Sequence, residues 1–241
     1  MLISAKTKGI NASELKYIAI LAMLIDHIAW LFVPTAGPAG QAMHFIGRIT
    51  APVMCFFISE GYHYTKNLRR YFTRMCIFAV ISHFAYAFCF NGGFFEKGTE
   101  SVIATLTLSL LSVHVINSEK IIMALKLPLI MLIVYFAEGC DWGAAAIMFT
   151  LTFELARGSR KKQLIAYSAS AFVYVLPTVN LLFKGYEIFF ENAYQFGVFL
   201  PVPLLMLYNG EKGGGKYTKW VFYIFYPAHL ILLQYINLRY S

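Results

Sequence analysis

Five ionisable side chains interrupt the long apolar stretches of this sequence: Asp26, His27, Arg48, His83 and His229. An ionisable group in a lipid-spanning segment is costly unless it faces the protein interior, so it marks a functional site by default. A neutral imidazole can take a proton near pH 7, and a guanidinium can stabilise negative charge on oxygen. These residue types together suit either acyl transfer assisted by a base or a proton or ion relay.

Their positions along the chain place four of these groups at a similar depth. At about 1.5 Å of rise per residue, His27, His83 and His229 fall about 15–18 Å from the predicted inner ends of their helices, and Arg48 about 20 Å. This depth is close to the middle of a hydrocarbon core about 30 Å thick. The sequence therefore predicts that Asp26, His27, Arg48 and His229 converge on one internal cavity.

His27 is the predicted general base, because a neutral imidazole tolerates burial better than a carboxylate does. Asp26 points about 100° away from its neighbour on a helix, so we expect it to pair with Arg48 or with a group on another segment. Arg48 is a candidate to stabilise an oxyanion. His229, with Tyr226 on the same helix face, is a candidate to relay a proton. The structural alternatives are an internal ion pair for Asp26 and Arg48, and hydrogen bonds to carbonyl groups for the histidines.

Composition limits the fold that must position these groups. Hydrophobic residues make up 59% of the chain and charged residues 13%, against about 45–50% and about 25% in soluble proteins. A soluble domain of 241 residues could not bury that much apolar surface. Long continuous apolar runs also exclude a transmembrane β-barrel. We therefore predict an all-α, polytopic bundle of transmembrane helices that forms a single domain over 1–241, in a cell membrane.

Nine apolar segments are long enough to be read as membrane spans. They cover 15–33, 43–61, 72–90, 101–116, 120–137, 142–157, 163–182, 194–208 and 219–238. On this map sixteen of the 20 Lys and Arg residues lie on one side. Basic loops are typical of the cytoplasmic side, so the N-terminus is predicted to be cytoplasmic and the chain to pass the membrane several times. Topology thus accounts for the net charge of +8 without a nucleic-acid partner.

Two further patterns give no chemistry of their own. The loop 210–217 almost matches a phosphate-binding glycine loop, but it lacks the final Ser or Thr and no strand precedes it. Its glycine amides and lysines could still contact an anion at the membrane surface. The four cysteines form no CxxC pair and no Cys/His cluster with zinc spacing, so no metal site is predicted.

Several short motifs, in order along the chain, resemble the TraX family. They lie at 15–19, 23–27, 46–52, 56–61, 141–143, 207–213 and 222–230. The resemblance is carried by the Ile25-Asp26-His27 sequence, the Gly47-Arg48 pair and the Tyr226-Pro227-Ala228-His229 element, and it runs from about residue 13 to 236.

The resemblance implies a bacterial membrane acetyltransferase that moves an acetyl group from acetyl-CoA to the N-terminus of a pilin. It also implies a place within the wider integral-membrane acyltransferases, whose first span carries a basic residue, ten others and then a histidine. Lys16 and His27 fit that spacing. Under this reading Asp26, His27, Arg48, Tyr226 and His229 are the catalytic candidates.

Acetyl-CoA is polar and cytosolic, so its phosphates should meet the basic face of the bundle. The candidates are Lys66, Arg69, Arg70, Asn209, Lys212 and Lys216. Two other functions remain open: a transporter or channel with a relay of Asp, His and Arg at mid-membrane, and a non-catalytic membrane assembly factor. The sequence also leaves open the acceptor, either a peptide or a small molecule, and the oligomeric state, a homodimer included.

Overall fold

A computed structural model describes residues 9–96, 98–215 and 218–240. The predicted CoA contact Lys216 and the topological charges Lys6, Lys8 and Lys97 lie outside these residues. The described chain is all-helical, with no strand beyond two isolated β-bridges. Its helices are α1 Ala12–Phe32, α2 Pro38–Gly47, α3 Thr50–Tyr64, α4 Leu68–Tyr86, α5 Val102–Asn117, α6 Met123–Ala137, α7 Gly143–Leu155, α8 Arg160–Asn180, α9 Tyr186–Glu191, α10 Pro201–Met206 and α11 Thr218–Tyr240. A π-helical turn, Ala87–Asn91, extends α4, and 3-10 turns cover Leu181–Phe183 and Ala193–Phe199.

Each predicted span falls on helix, but not all nine are long enough to cross a membrane. In the described chain five helical segments have the length and apolar composition to do so: Ala12–Phe32, Pro38–Tyr64, Leu68–Asn91, Arg160–Phe183 and Trp220–Tyr240. The other four segments are shorter apolar helices of 10–17 residues. The segment 194–208 is broken, because Pro201 starts α10 after the 3-10 turn.

The second predicted span consists of two helices joined by two residues, and the polar cluster lies at this junction. Helix α2 ends at Gly47, and α3 begins at Thr50 after Arg48 and Ile49. A Cβ atom on Gly47 would overlap the side chain of Asp26. Glycine at this point therefore lets α1 approach closely enough to bring the Asp26 carboxylate against the junction of α2 and α3.

The glycine-rich loop closes the start of α1. Asn11 caps α1 by accepting hydrogen bonds from the amides of Ser13 and Glu14. The carbonyls of Glu211 and Lys212 accept from the amides of Ala12 and Ser13, at 2.8 and 3.2 Å. Gly213 and Gly214 have φ of 57° and 65°. A Cβ on Gly213 would overlap Asn11, the N-cap residue of α1, and one on Gly214 would overlap Ser13. The loop presents carbonyl oxygens to the first amides of α1. Its glycines therefore serve to cap this helix, although their pattern is similar to that of a phosphate-binding loop.

Helix α3 lies in the interior, packed against α1, α5 and α7. Phe56 of α3 and Phe153 of α7 are fully buried, with ring centroids 5.3 Å apart. Helix α6 lies outside, and side chains such as Met123, Leu127 and Tyr135 are mostly exposed, as expected for a helix that faces lipid. The buried polar residues come from several helices, among them Asp26 and His27 of α1, His44 of α2, Glu154 of α7 and His229 of α11.

Candidate functional site

His27 of α1 and His229 of α11 form a direct pair in the bundle interior. His27 Nδ1 lies 2.7 Å from His229 Nε2, and the rings stack with centroids 5.0 Å apart. The two residues are 6% and 5% exposed. Because 202 residues separate them along the chain, the pair exists only through the packing of the first helix on the last.

The hydrogen bonds indicate which ring nitrogens of this pair carry the protons. His229 Nδ1 lies 2.8 Å from the carbonyl oxygen of Phe225, and a carbonyl can only accept, so Nδ1 of His229 carries the proton. In a neutral imidazole Nε2 of His229 is then an acceptor, and Nδ1 of His27 donates to it. The lone pair of His27 is left on its Nε2, the nitrogen that can take a proton from a substrate.

Asp26, the neighbour of His27, is held by two groups, one on α2 and one at the junction of α2 and α3. Its Oδ1 accepts from His44 Nδ1 at 2.8 Å, and its Oδ2 accepts from Arg48 at 3.1 Å. His44 is fully buried, and Asp26 and Arg48 are each 8% exposed. The pairing of Asp26 with Arg48 follows the sequence expectation. His44 was missed, although it stands four residues before Arg48 and so on the same helix face.

Arg48 is enclosed by aromatic rings. Its guanidinium carbon lies 4.6 Å from the centroid of Trp142 and 5.3 Å from that of Tyr194. Asp141, in the loop before α7, is also close to Arg48; burial raises its pKa to about 6, and the nearby guanidinium opposes that rise. Arg48 is thus engaged by a carboxylate and two ring faces, which leaves it poorly placed to act on an oxyanion.

A largely apolar cavity of about 310 Å³ lies beside the histidine pair. One end is lined by Lys16, Thr65 and Arg74, where α1 and α4 begin and α3 ends; we call this the basic end. Val102, Ile103 and Tyr226 also line it, deeper in the bundle. Asp26, His27, Arg48 and His229 come together in the interior, as the sequence predicts, but their side chains pack against one another and none of the four lines this cavity.

Tyr226 connects the cavity to the histidine pair. It lines the cavity, and its ring makes edge contacts with His27 and His229, with centroids 6.2 and 5.7 Å apart. Its hydroxyl is buried and has no hydrogen-bond partner within the described part of the chain. A ligand filling the cavity would therefore be separated from His27 by one aromatic ring.

Two cations without a carboxylate partner among the described residues line the basic end. Lys16 Nζ lies 4.5 Å from the ring centroid of Phe57, and Arg74 Nε donates to the hydroxyl of Tyr223 at 3.1 Å. Lys212 lies near enough to Lys16 for the two charges to repel each other. Arg74 was not among the predicted CoA contacts, although it follows Arg70 by one helical turn.

The other predicted CoA contacts are not brought to the cavity. Lys66, Arg69 and Arg70 are exposed and do not line it. Asn209 closes the turn before the glycine-rich loop: its amide donates to Ile10 at 3.0 Å, and its side chain accepts from Glu211 at 2.9 Å. The structure gives Asn209 a place in the turn that caps α1.

Two further polar groups form contacts of their own. Glu154, near the end of α7, is 6% exposed and accepts from Ser59, His63 and Asn117 at 2.6–2.9 Å. His83, which the sequence places at mid-membrane, pairs at 2.7 Å with Glu100, and both side chains are partly exposed. His83 is therefore separate from the buried cluster.

Comparison with known proteins places these features in a family. A family model described as "TraX protein" matches residues 11–237. A Dichelobacter nodosus protein named "Probable fimbrial assembly protein FimC, serogroup H1" is 33% identical over 230 residues, which cover 92% of this chain and 94% of that protein. "Uncharacterized protein RP591" of Rickettsia prowazekii (strain Madrid E) is 38% identical over 80 residues, 33% of this chain and 29% of that protein. No solved structure matches the chain significantly.

Proposed function

The chain belongs to the TraX family, and on that premise we propose that it is an integral-membrane acetyltransferase. It moves an acetyl group from acetyl-CoA to an amine or hydroxyl acceptor, with His27 as general base. The membrane bundle, the buried polar cluster and the cavity are the parts that such an enzyme needs.

The observation that carries the proposal is the histidine pair beside the cavity. The hydrogen bonds of His229 leave the lone pair of His27 on Nε2. A base must lie next to the acceptor's reacting atom, and a positioned base contributes about 10²–10⁴-fold to rate. His27 combines a free acceptor nitrogen with contact to Tyr226, which lines the cavity.

The cavity is the proposed site for the acyl donor. Its volume of about 310 Å³ lies at the lower end of the usual range for small-molecule pockets, about 300–1,000 Å³. Lys16 and Arg74, with Lys212 nearby, supply positive charge for the phosphates at the basic end. The apolar walls suit the pantetheine arm, whose thioester would then lie deep in the bundle.

The proposed transfer moves one proton and replaces the C–S bond of the thioester with a C–N or C–O bond to the acceptor. The acceptor's nitrogen or oxygen attacks the thioester carbonyl carbon while His27 Nε2 takes its proton. The tetrahedral adduct expels the CoA thiolate, which receives that proton and leaves as free thiol. His229 holds the His27 ring through the 2.7 Å contact. Asp26, His44 and Arg48 hold α1 against α2 and so position His27.

The proposed acceptor is the N-terminal amine of a pilin-type subunit. The Dichelobacter nodosus relative, similar along almost its whole length, carries a fimbrial assembly name. A pilin amine as acceptor would be consistent both with that name and with acyl transfer at a membrane.

The test uses the purified full-length protein in lipid nanodiscs with acetyl-CoA and a pilin N-terminal peptide. We expect release of free thiol that depends on the peptide, together with acetylated peptide. His27→Gln should lower turnover by about 10²–10⁴-fold with CoA affinity little changed. His83→Gln, the matched control outside the cluster, should behave as the wild type.

Two outcomes would overturn the proposal. One is normal acetyl transfer by a folded His27→Gln protein, which would remove the general base. The other is a wild-type protein that neither binds CoA nor releases thiol but moves a solute across proteoliposomes without CoA, which would favour a transporter.

A further inference from the structure

We propose that the N-terminus of α5, together with Tyr226, forms the oxyanion site for the thioester carbonyl of the acyl donor. The inference rests on the proposed acetyl transfer and names the groups that would stabilise its tetrahedral adduct. It replaces Arg48, which the sequence pointed to for this role.

The first feature of the site is an uncapped, buried helix start. Ser101 is the N-cap residue of α5, yet its side chain makes no capping hydrogen bond and its hydroxyl is buried without a partner among the described residues. Ser101 is fully buried. A serine at this position normally accepts from the second or third amide of the helix. Here the third amide, of Ala104, donates to the Ser101 carbonyl at 2.9 Å, and the hydroxyl remains available.

The second feature is the position of α5 in the bundle. Its first residues are buried: Ser101, Val102 and Ile103 are 0%, 7% and 7% exposed. The amides at its start therefore face a buried environment. The N-terminus of a helix carries partial positive charge and favours anions, and low polarity around it strengthens that effect.

The third feature is Tyr226, which contacts this helix start. Its hydroxyl lies beside the amide of Val102, the first residue of α5. That residue is 2% exposed, and its hydroxyl has no acceptor for its proton within the described ranges. Buried hydroxyls are usually paired in proteins, so a tyrosine hydroxyl buried beside the cavity at a helix start can donate to a ligand oxygen there.

The cavity leads to this point. Val102, Ile103 and Tyr226 all line it. An apolar thioester arm that enters at Lys16 and Arg74 would bring its carbonyl towards the α5 start, next to the ring that contacts His27. Attack by the acceptor moves the carbonyl electron pair onto oxygen, and donors aimed at that oxygen stabilise it more than they stabilise the ground state.

Arg48 does not fit this role as well. Its guanidinium is bound to Asp26 and covered by Trp142 and Tyr194, and it does not line the cavity. The α5 start and Tyr226 line it directly. In this proposal Arg48 holds the Asp26 carboxylate, whereas Tyr226 donates a hydrogen bond to the thioester oxygen.

The first experiment removes one hydroxyl and keeps the ring. Tyr226→Phe should lower the turnover number for acetyl transfer by about 10²-fold, the lower end of the effect of losing one oxyanion donor. The KM for acetyl-CoA should stay within about twofold, because the donor acts in the transition state. Tyr235→Phe, the same change on the lipid-exposed face of α11, is the matched control and should have no effect.

The second experiment measures the carbonyl stretching band of bound acetyl-CoA in the absence of turnover. In the His27→Gln background, infrared difference spectra of acetyl-CoA labelled isotopically at the carbonyl carbon should show the thioester band shifted to lower frequency on binding. Adding Tyr226→Phe or Ser101→Ala should reduce that shift. Ser109→Ala, which removes another buried and unpartnered hydroxyl of α5 away from the cavity, should leave it unchanged.

The outcomes separate this inference from the proposed function. Wild-type turnover in Tyr226→Phe, or an unshifted carbonyl band in protein that binds acetyl-CoA, would overturn the oxyanion site and leave acetyl transfer standing. Loss of acetyl-CoA binding and thiol release by the wild type would remove both. If Tyr226→Phe does not fold, the infrared shift in Ser101→Ala against Ser109→Ala decides the question.

Discussion

His44 Nδ1 lies 2.8 Å from Asp26 Oδ1, so a fully buried imidazole of α2 donates to the carboxylate that precedes His27. Arg48 binds the other oxygen of the same carboxylate at 3.1 Å. Asp26, which precedes His27 in the sequence, therefore links α1 to α2 and to the junction of α2 and α3.

Breaking this link should destabilise the bundle strongly. Arg48→Met removes one partner of a buried ion pair, and such changes typically cost about 3–5 kcal/mol because the remaining charge stays buried. The free energy of unfolding in detergent micelles measures the loss. Arg239→Met, at the exposed end of α11, should change it by less than about 0.5 kcal/mol.

The double variant Asp26→Asn/Arg48→Met tests the coupling itself. Its loss of stability should be clearly smaller than the losses of the two single variants added together, because the second change removes the charge that the first left unpaired. Additive losses would contradict a direct ion pair.

Part of this cluster could be predicted from sequence. Asp26, His27, Arg48 and His229 stand out because ionisable residues inside apolar runs are rare. His44 did not stand out, because the predicted span began at residue 43 and placed it at the membrane surface. Helix α2 begins at Pro38, which places His44 inside the bundle. His44 was missed because the sequence did not show where α2 begins, not because histidine is an unusual residue for such a site.

Arg74, rather than Arg70, should contribute to CoA binding. Arg74 lines the cavity, whereas Arg70 is exposed on the first turn of α4. Arg74→Gln should weaken CoA affinity by about tenfold, equivalent to about 1.4 kcal/mol for the loss of a charged contact. Arg70→Gln should stay within about twofold, since an exposed charge contributes little.

Titration calorimetry with CoA at low and high salt checks this pair of variants. The contribution of Arg74 should persist at high salt more than that of any exposed lysine, because partly buried charges are screened less. Equal effects of the two substitutions would show that CoA binds the exposed loop, as the sequence alone indicated.

Charge pattern alone does not distinguish Arg74 from the neighbouring basic residues. Lys66, Arg69, Arg70 and Arg74 form one basic group in the sequence, and topology alone accounts for such a group. Only the packing of α4 against α11 shows that Arg74 turns towards Tyr223. The buried position of Glu154 likewise depends on packing, because its partners Ser59, His63 and Asn117 come from two other helices.

Asp141 should make stability depend on pH. Burial raises its pKa from 3.8 to about 6 in the folded protein, so folding favours the protonated carboxyl. The stabilisation from Asp141 is then fully present below about pH 4 and is lost as the pH rises through about 6. Asp141→Asn should raise the unfolding temperature at pH 7 relative to the wild type, with little difference at pH 4. Thermal unfolding across this range measures it, and a constant difference at all pH values would contradict the assignment.

Gly47 should be intolerant of even one added carbon. A Cβ there would overlap the Asp26 side chain, and because α1 is packed on both sides the carboxylate can yield only by leaving His44 or Arg48. Gly→Ala in a helix usually stabilises by about 0.5–1 kcal/mol, whereas overpacking typically costs about 1–3 kcal/mol. We therefore expect Gly47→Ala to lower the free energy of unfolding and, by shifting α1, to lower acetyl transfer as well. Gly139→Ala, where a Cβ would meet no atom within 4 Å, is the matched control. Unchanged stability and turnover in Gly47→Ala would show that Asp26 has room to move, and that its two contacts do not hold His27 in place.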